Sequence, residues 1–348
     1  MDLFPLARPA LRFIDPERAH RLTIVALKAG LGPRQRKADP ASLGVDLFGL
    51  HFSNPVGIAA GFDKNGEVPD AMLAMGMGFA EVGTVTPRPQ SGNPRPRVFR
   101  LEAERAVINR LGFNNEGHQA LKRRLEARRA RGGIVGVNIG ANKDAADRIA
   151  DYETGIAAFE HLASYFTVNI SSPNTPGLRA LQNRGELEAL IARVLKARKG
   201  RVPILLKIAP DLTAPELADI AAVALDMKLD GLIVSNTTIQ REGFVSGRHA
   251  HEVGGLSGRP LLTLSTDVLR DVYRLTGGKI PIVGVGGIAS GADAYAKIRA
   301  GASLVQLYSA LTYEGPALVA RIKRDLASAL ARDGFARVAD AVGVDAKN

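Results

Sequence analysis

With 348 residues, 46% of them apolar and 23% charged, the chain has the composition of a globular protein with ample side chains for a large core, which excludes a disordered one. The formal net charge of +11 points to an anionic partner (nucleic acid, lipid or small molecule), yet there is no Trp and only 5% of residues are aromatic, which leaves few rings to stack on bases. Cysteine is absent, excluding disulfides, a thiolate nucleophile and iron–sulfur ligation by this chain, so redox chemistry would require an organic cofactor.

In chain order, residues 1–40 come first and differ from the rest. Asp15-Pro16-Glu17-Arg18 reads as an N-cap, a proline at the first helical position and an acidic first turn, which predicts a helix ending near Gly30 or Gly32. Leu3, Phe4, Leu6, Leu11, Phe13 and Ile14 form an apolar set before it, around Arg8 and Arg12. Two readings stay open: helices capping the main fold, or a basic amphipathic hairpin on a membrane surface. No run of 18 apolar residues exists, so no spanning helix is expected, and the start lacks a signal-peptide h-region.

From residue 43 onward, short β-rich runs alternate with longer helical patterns. The runs are 56–60, 79–84, 134–139, 165–170, 204–208, 231–235, 282–285 and 303–307. Eight near-continuous apolar strands separated by helices predict an α/β fold, a (β/α)8 TIM barrel over residues 41–348. The connection over 87–131 is oversized and reads as an insertion over the barrel mouth, with a β run at 97–101 and a basic helix from Gln119. Lys122, Arg123, Arg124, Arg128, Arg129 and Arg131 on that helix read as a solvated face. Of the histidines only His249 and His251 are close, and nothing beside them completes a coordination shell, so no metal site is expected.

The C-terminal ends of barrel strands are where active sites assemble, and here they are polar or glycine-rich: Ala60-Gly61, Thr84, Asn138, Asn169, Lys207, Ser235-Asn236-Thr237, Gly286-Gly287 and Tyr308-Ser309. The fourth end opens into Asn169-Ile170-Ser171-Ser172-Pro173-Asn174-Thr175-Pro176-Gly177, whose prolines force a shaped loop that presents its side chains. Lys207 sits in an otherwise apolar strand, where an unpaired ammonium is costly, so an anion should meet it or its tip should reach solvent. The glycines after strand seven and the Tyr308-Ser309 end of strand eight lie where barrels hold phosphate through backbone N–H groups.

These residues resemble the dihydroorotate dehydrogenases, specifically the membrane-associated, quinone-using class. The likeness covers nearly the whole chain and rests on Ala59-Ala60-Gly61-Phe62-Asp63-Lys64, Gly83-Thr84-Val85-Thr86-Pro87, Ile108-Asn109-Arg110-Leu111-Gly112-Phe113-Asn114, the 169–177 loop, Lys207-Ile208-Ala209-Pro210-Asp211, Gly254-Gly255-Leu256-Ser257-Gly258 and Gly284-Val285-Gly286-Gly287-Ile288. The resemblance implies FMN held by Ala60, Gly61, Thr84, Asn138, Asn169, Lys207, Ser235, Gly258, Gly287, Tyr308 and Ser309. It places dihydroorotate, the precursor of orotate in pyrimidine biosynthesis, against Lys64, Asn109, Arg110, Leu111, Gly112, Phe113, Asn169, Asn174, Asn236 and Thr237.

By the same resemblance Ser172 is the catalytic base, where soluble relatives use cysteine, with Thr175 and Phe113 shaping a proton path. Residues 1–40 become a small helical domain that rests on the membrane and leads quinone past His20 and Arg100, with Tyr308 near the inner end of that tunnel. The implied enzyme is a monomer with ping-pong kinetics. Without an arginine-rich leader ahead of the helical segment, its expected place is the cytoplasmic face of a bacterial cell membrane, held peripherally. Two other readings remain: a phosphosugar aldolase or isomerase using Lys207 or Lys64 for a Schiff base, and a basic nucleic-acid-binding module. The implied enzyme has no nucleic-acid partner.

Overall fold

The structure, a computed structural model, describes residues 4, 11 and 13–346. Helix α1 (Pro16–Lys28) starts as the sequence predicts: the Asp15 carboxylate accepts the Arg18 N–H at 3.0 Å, and Pro16 takes the first position, where no N–H is needed. It stops at Lys28, short of Gly30, because Gly30 turns to a φ of 79° and closes the end by donating its N–H to the Leu27 carbonyl. Ile24 and Leu27 are buried, while Leu22 and Val25 stand exposed. Of the apolar set ahead of the helix, Leu3 and Leu6 lie outside the described residues, and Phe13 stands exposed.

The chain then makes β1 (Val45–Leu47), β2 (Leu50–Phe52), β3 (Val56–Asp63), α2 (Pro69–Ala74), β4 (Phe79–Val85), β5 (Val98–Leu101), β6 (Ala106–Asn109), α3 (Gly117–Arg128) and β7 (Val135–Ile139). It continues through α4 (Arg148–Phe159), β8 (Tyr165–Asn169), α5 (Arg184–Ala197), β9 (Ile204–Ile208), α6 (Ala214–Asp226), β10 (Gly231–Val234), β11 (Gly255–Gly258) and α7 (Leu262–Leu275). The last elements are β12 (Ile282–Val285), α8 (Gly291–Arg299), β13 (Ala302–Leu307), α9 (Ser309–Glu314), α10 (Ala317–Arg332) and α11 (Val338–Ala341).

Eight strands close into a parallel barrel in the order β3-β4-β7-β8-β9-β10-β12-β13, the (β/α)8 fold expected. Each of the eight apolar runs falls on one of them. The end where the strands begin is packed by aromatic rings: Phe52, from the antiparallel β1–β2 hairpin, meets Phe79 edge-on at 5.4 Å, and Phe79 meets Tyr165 at 6.3 Å. Glycines make room for them, since a Cβ at Gly57 would stand 2.4 Å from the Phe79 ring and one at Gly136 2.1 Å from the Tyr165 ring. The hairpin was not anticipated from sequence.

At the other end, the 87–131 insertion contributes β5 and β6, and β11 crosses from the β10–β12 connection to pair with β6, giving a three-stranded antiparallel sheet in the order β11-β6-β5. The β run at 97–101 is therefore real, whereas β6 and β11 went unread. Helix α3 begins at Gly117, and its basic face is only partly solvated. Arg128 is buried against Asp70, with Nε and Nη2 at 3.0 and 2.9 Å from one carboxylate oxygen, and Arg124 reaches Glu116 at 2.6 Å. Among the described residues no helix is long and apolar enough to cross a membrane, and no group of His, Cys, Asp or Glu could hold a metal ion.

Candidate active site

The strand ends, the small sheet and α1 surround one cavity of about 1530 Å3. A ladder of buried polar groups rises through the barrel toward it. Glu81, hidden in the apolar-looking run of β4, accepts bonds from Gln306 Nε2 at 2.7 Å, Tyr165 OH at 3.0 Å and Asn138 Nδ2 at 2.8 Å. Asn138 Oδ1 in turn accepts from Thr84 Oγ1 at 2.6 Å and Asn169 Nδ2 at 3.2 Å, and Asn169 also reaches Thr84 Oγ1 at 2.9 Å. Asn169 Oδ1 accepts from Asn236 Nδ2 at 3.3 Å, and the same Asn236 nitrogen bonds Ser171 Oγ at 3.0 Å. Asn138, Asn169 and Asn236 each both donate and accept, so the ladder fixes side-chain orientation up to the cavity wall.

Of the cofactor candidates, Ala60, Gly61, Thr84, Asn169, Lys207, Ser235, Gly258, Gly287, Tyr308 and Ser309 all line this cavity. Asn138 does not: it is fully buried behind Thr84 and acts on the wall through it. Lys207 is only 6% exposed, and its ammonium makes no hydrogen bond to another described residue. Burial pushes its pKa down, and the nearby charge of Glu81 offsets that only in part. Gly286 and Gly287 leave β12 with φ of 113° and 78°, and a Cβ at Gly287 would stand 2.4 Å from Leu262 Cα. Ser257 Oγ lies 2.7 Å from Ser309 Oγ, tying β11 to the start of α9 beside those glycines. A buried cation lacking a hydrogen-bonded partner and backbone turns stripped of side chains fit a planar, phosphate-bearing and electron-accepting group such as FMN.

The substrate candidates gather on the same wall. Asn174 Nδ2 reaches Asn109 Oδ1 at 3.3 Å, and Asn93 Nδ2 holds the Asn174 carbonyl at 3.1 Å. Ser172 is buried and its Oγ accepts the Asn174 N–H at 3.3 Å. Lys64 donates to the Gly61 carbonyl at 2.8 Å, and burial pushes its pKa down to about 8. Leu111, Gly112, Phe113, Asn236 and Thr237 line the cavity as well, with Phe113 held at a φ of 54°.

Arg110 is the exception among these candidates. It turns away to Glu252 at 2.6 Å and packs over the Phe99 ring at 4.5 Å, on the outer side of the small sheet. Arg179, just past the 169–177 loop, went unread. Its guanidinium bonds the Ser171 carbonyl at 3.0 Å, the Thr237 carbonyl at 3.0 Å and Asp211 at 2.8 Å, pinning both substrate-side loops. A lone cation two residues past Gly177 was the available signal.

At the opposite end the cavity meets α1. His20 packs edge-on to Phe62 at 5.4 Å, Phe62 edge-on to Tyr308 at 5.5 Å, and Tyr308 OH lies 3.4 Å from His20 Nδ1. Burial, then the charge of Lys64, pushes the His20 pKa down to about 3, so this imidazole is neutral at physiological pH. Arg100 donates to the Leu11 carbonyl at 2.9 Å and to the Ile14 carbonyl, and Arg97 grips Glu17 with Nε at 3.0 Å and Nη2 at 2.7 Å. Phe62, unread as a site residue, thus stands between His20 and Tyr308.

The family model described as dihydroorotate dehydrogenase matches residues 42–330. The dihydroorotate dehydrogenase (quinone) of Parvibaculum lavamentivorans is 77% identical over 345 residues, covering 99% of this chain and 99% of that protein. That of Rhodospirillum rubrum is 57% identical over 349 residues, covering 99% and 95%. Among solved structures, dihydroorotate dehydrogenase from Eimeria tenella in complex with ferulenol superposes with a TM-score of 0.93 at 43% identity, covering 96% of each chain. Motifs, barrel and whole-chain similarity agree, and the chain belongs to the dihydroorotate dehydrogenase family, in its quinone-dependent class.

Proposed function

We infer that the two ends of this cavity serve the two half-reactions of the enzyme: dihydroorotate is oxidised to orotate at the Ser172 end, and a membrane quinone is reduced at the His20 end. The observation that carries this reading is the continuity of one cavity from Ser172, Asn174 and Asn236 to His20 and Arg100. FMN, once bound between them, supplies the hydride acceptor for the first reaction and the electron donor for the second. Ala60, Gly61, Thr84, Asn169, Ser235 and Tyr308 hold its ring and side chain, with Asn138 fixing Thr84 from behind. Gly258, Gly287 and Ser309 receive its phosphate, and the Lys207 cation favours added electron density on the ring.

On the substrate side, Asn109, Asn174, Asn236 and Thr237 match the donors and acceptors of a cyclic diamide, and Lys64 meets its carboxylate. Leu111, Gly112 and Phe113 close over it, while Arg110 anchors that segment through Glu252. Ser172 Oγ takes the C5 proton as the C6 hydride leaves, and its own hydroxyl proton passes onward along the path that Thr175 and Phe113 shape. A serine hydroxyl is a weak base, and the Asn174 N–H aimed at Oγ supports the role by stabilising the negative charge that develops there. On the quinone side, the neutral His20, Phe62 and Tyr308 form a largely apolar passage, and Arg100 secures the segment before α1.

Residues 1–40 act as the membrane-contacting part and 41–348 as the FMN barrel. The exposed Leu22, Val25 and Leu31 on and after α1 support peripheral attachment, which we place at the cytoplasmic face of a bacterial membrane. The deciding experiment is an absorption spectrum of the purified protein under anaerobic conditions: dihydroorotate should bleach a flavin band, and a short-chain quinone should restore it. A colourless protein, or a flavin band untouched by dihydroorotate, would overturn the reading.

A further inference from the structure

We propose that Lys297, which lies outside the cavity, is the buried counter-charge of the FMN phosphate and makes the site prefer a phosphorylated flavin. This rests on the placement of the phosphate at Gly287 and Ser309 given above.

Lys297 projects from α8 and is 0% exposed. Its ammonium donates to Ser265 Oγ at 2.8 Å and Thr266 Oγ1 at 3.0 Å, both on α7, and among the described residues no carboxylate pairs with it. Burial pushes its pKa down to about 7, and the more distant Asp293 and Asp267 offset this only in part. Without an anion close by, this group is half neutral near pH 7, and a phosphate at the neighbouring turn would hold it charged.

The hydrogen-bond route from Lys297 leads to the phosphate turn. Ser265 Oγ reaches the Gly286 carbonyl at 3.2 Å, and a Cβ at Gly286 would stand 2.7 Å from that same oxygen. Thr266 Oγ1 donates to the Leu262 carbonyl at 2.7 Å, and Leu262 is the residue on which Gly287 rests. The lysine stem runs along β12, its Cδ 3.2 Å from where a Cβ of Gly284 would be. One hydroxyl therefore separates the ammonium from the turn, in a dry region where charge acts at reduced screening. Lys297 is a positioning residue: it touches neither flavin nor substrate, and it supplies both a field and a brace to the turn that does.

The test is flavin exchange in the holoenzyme. Wild-type protein, Lys297→Met and Lys297→Gln are dialysed against mixtures of FMN and riboflavin, and the bound flavin is released and separated by chromatography. Wild type should need a large riboflavin excess for half replacement, and both variants should need about tenfold less or lower still. Lys297→Gln keeps a donor for Ser265 and removes the charge, so it isolates the electrostatic part if the methionine variant does not fold. An unchanged exchange ratio in the folded variants, as a packing role that weakens both flavins equally would give, overturns the proposal. Replacement at parity in the wild type would instead overturn the phosphate placement, and the proposal with it.

Discussion

Replacing Glu17 with Ala removes the clamp between α1 and the small sheet. The Glu17 carboxylate receives Arg97 Nε at 3.0 Å and Nη2 at 2.7 Å, and Arg95 Nη2 at 3.0 Å. Arg95 is exposed and its pair counts for little. Arg97 is buried, and each of its two charge-assisted bonds contributes about 1.5 kcal/mol, so docking of α1 should weaken by about 3 kcal/mol. At about 1.4 kcal/mol per factor of ten, that is roughly a hundredfold shift toward the undocked helix.

Stopped-flow bleaching at saturating dihydroorotate should be nearly unchanged in this variant, because no bond to Ser172 or Asn174 is lost, although without the Glu17 charge the Lys64 pKa falls further and substrate binding should weaken. Steady-state quinone reduction should fall, and cleavage by trypsin within 16–28 should accelerate. Quinone turnover at the wild-type rate together with unaltered proteolysis would refute both the clamp and its role. Acidification should mimic the substitution in the wild type. The bond from Arg97 holds the Glu17 pKa below the ordinary carboxylate range, so the stabilisation is present at neutral pH and is lost as pH falls through that lowered value.

Two further outcomes are expected. Ser172→Ala should retain FMN while slowing anaerobic bleaching by about a hundredfold or more, and an unchanged single-turnover rate would remove Ser172 as the base. Burial holds the Lys64 pKa at about 8, and in the proposed arrangement its cation meets the substrate carboxylate, so kcat/KM for dihydroorotate should decline above that pH while kcat is affected less. A profile flat from about pH 7 to about pH 10 would show that Lys64 does not carry that contact.

The barrel was legible because its strands are buried on both faces and so appear as local apolar runs, each sufficient by itself. The start of α1 was legible for the same reason of locality, since Asp15 and Pro16 settle it within one turn. What escaped depends on distant pairing. Strand β6 meets β11 across 150 residues, through Val107 and Ser257, and no periodicity near either segment announces the other. Arg110 was placed with its neighbours in the substrate set, but Glu252, 142 residues away, turns it outward. Glu81 was read as part of an apolar run, and only closure of the barrel brings Tyr165, Gln306 and Asn138 onto its carboxylate. The strand-end residues could be named in advance, whereas the second layer that aims them could not.

The three-stranded sheet over the mouth bears on how such enzymes could be recombined. Its outer strand β5 carries Arg100, which holds the segment before α1; its middle strand β6 ends at Asn109 on the substrate side; and β11 ends at Gly258 on the cofactor side. A graft that exchanged residues 1–40 alone would set a foreign helix on a native plate and lose the Glu17–Arg97 attachment wherever the donor lacks a carboxylate at that position, leaving only the backbone carbonyls that Arg100 holds. The smallest portable unit is α1 together with that plate, and in the proposed arrangement the plate also borders the substrate and the flavin, so transplanting quinone preference would retune the opposite half-reaction.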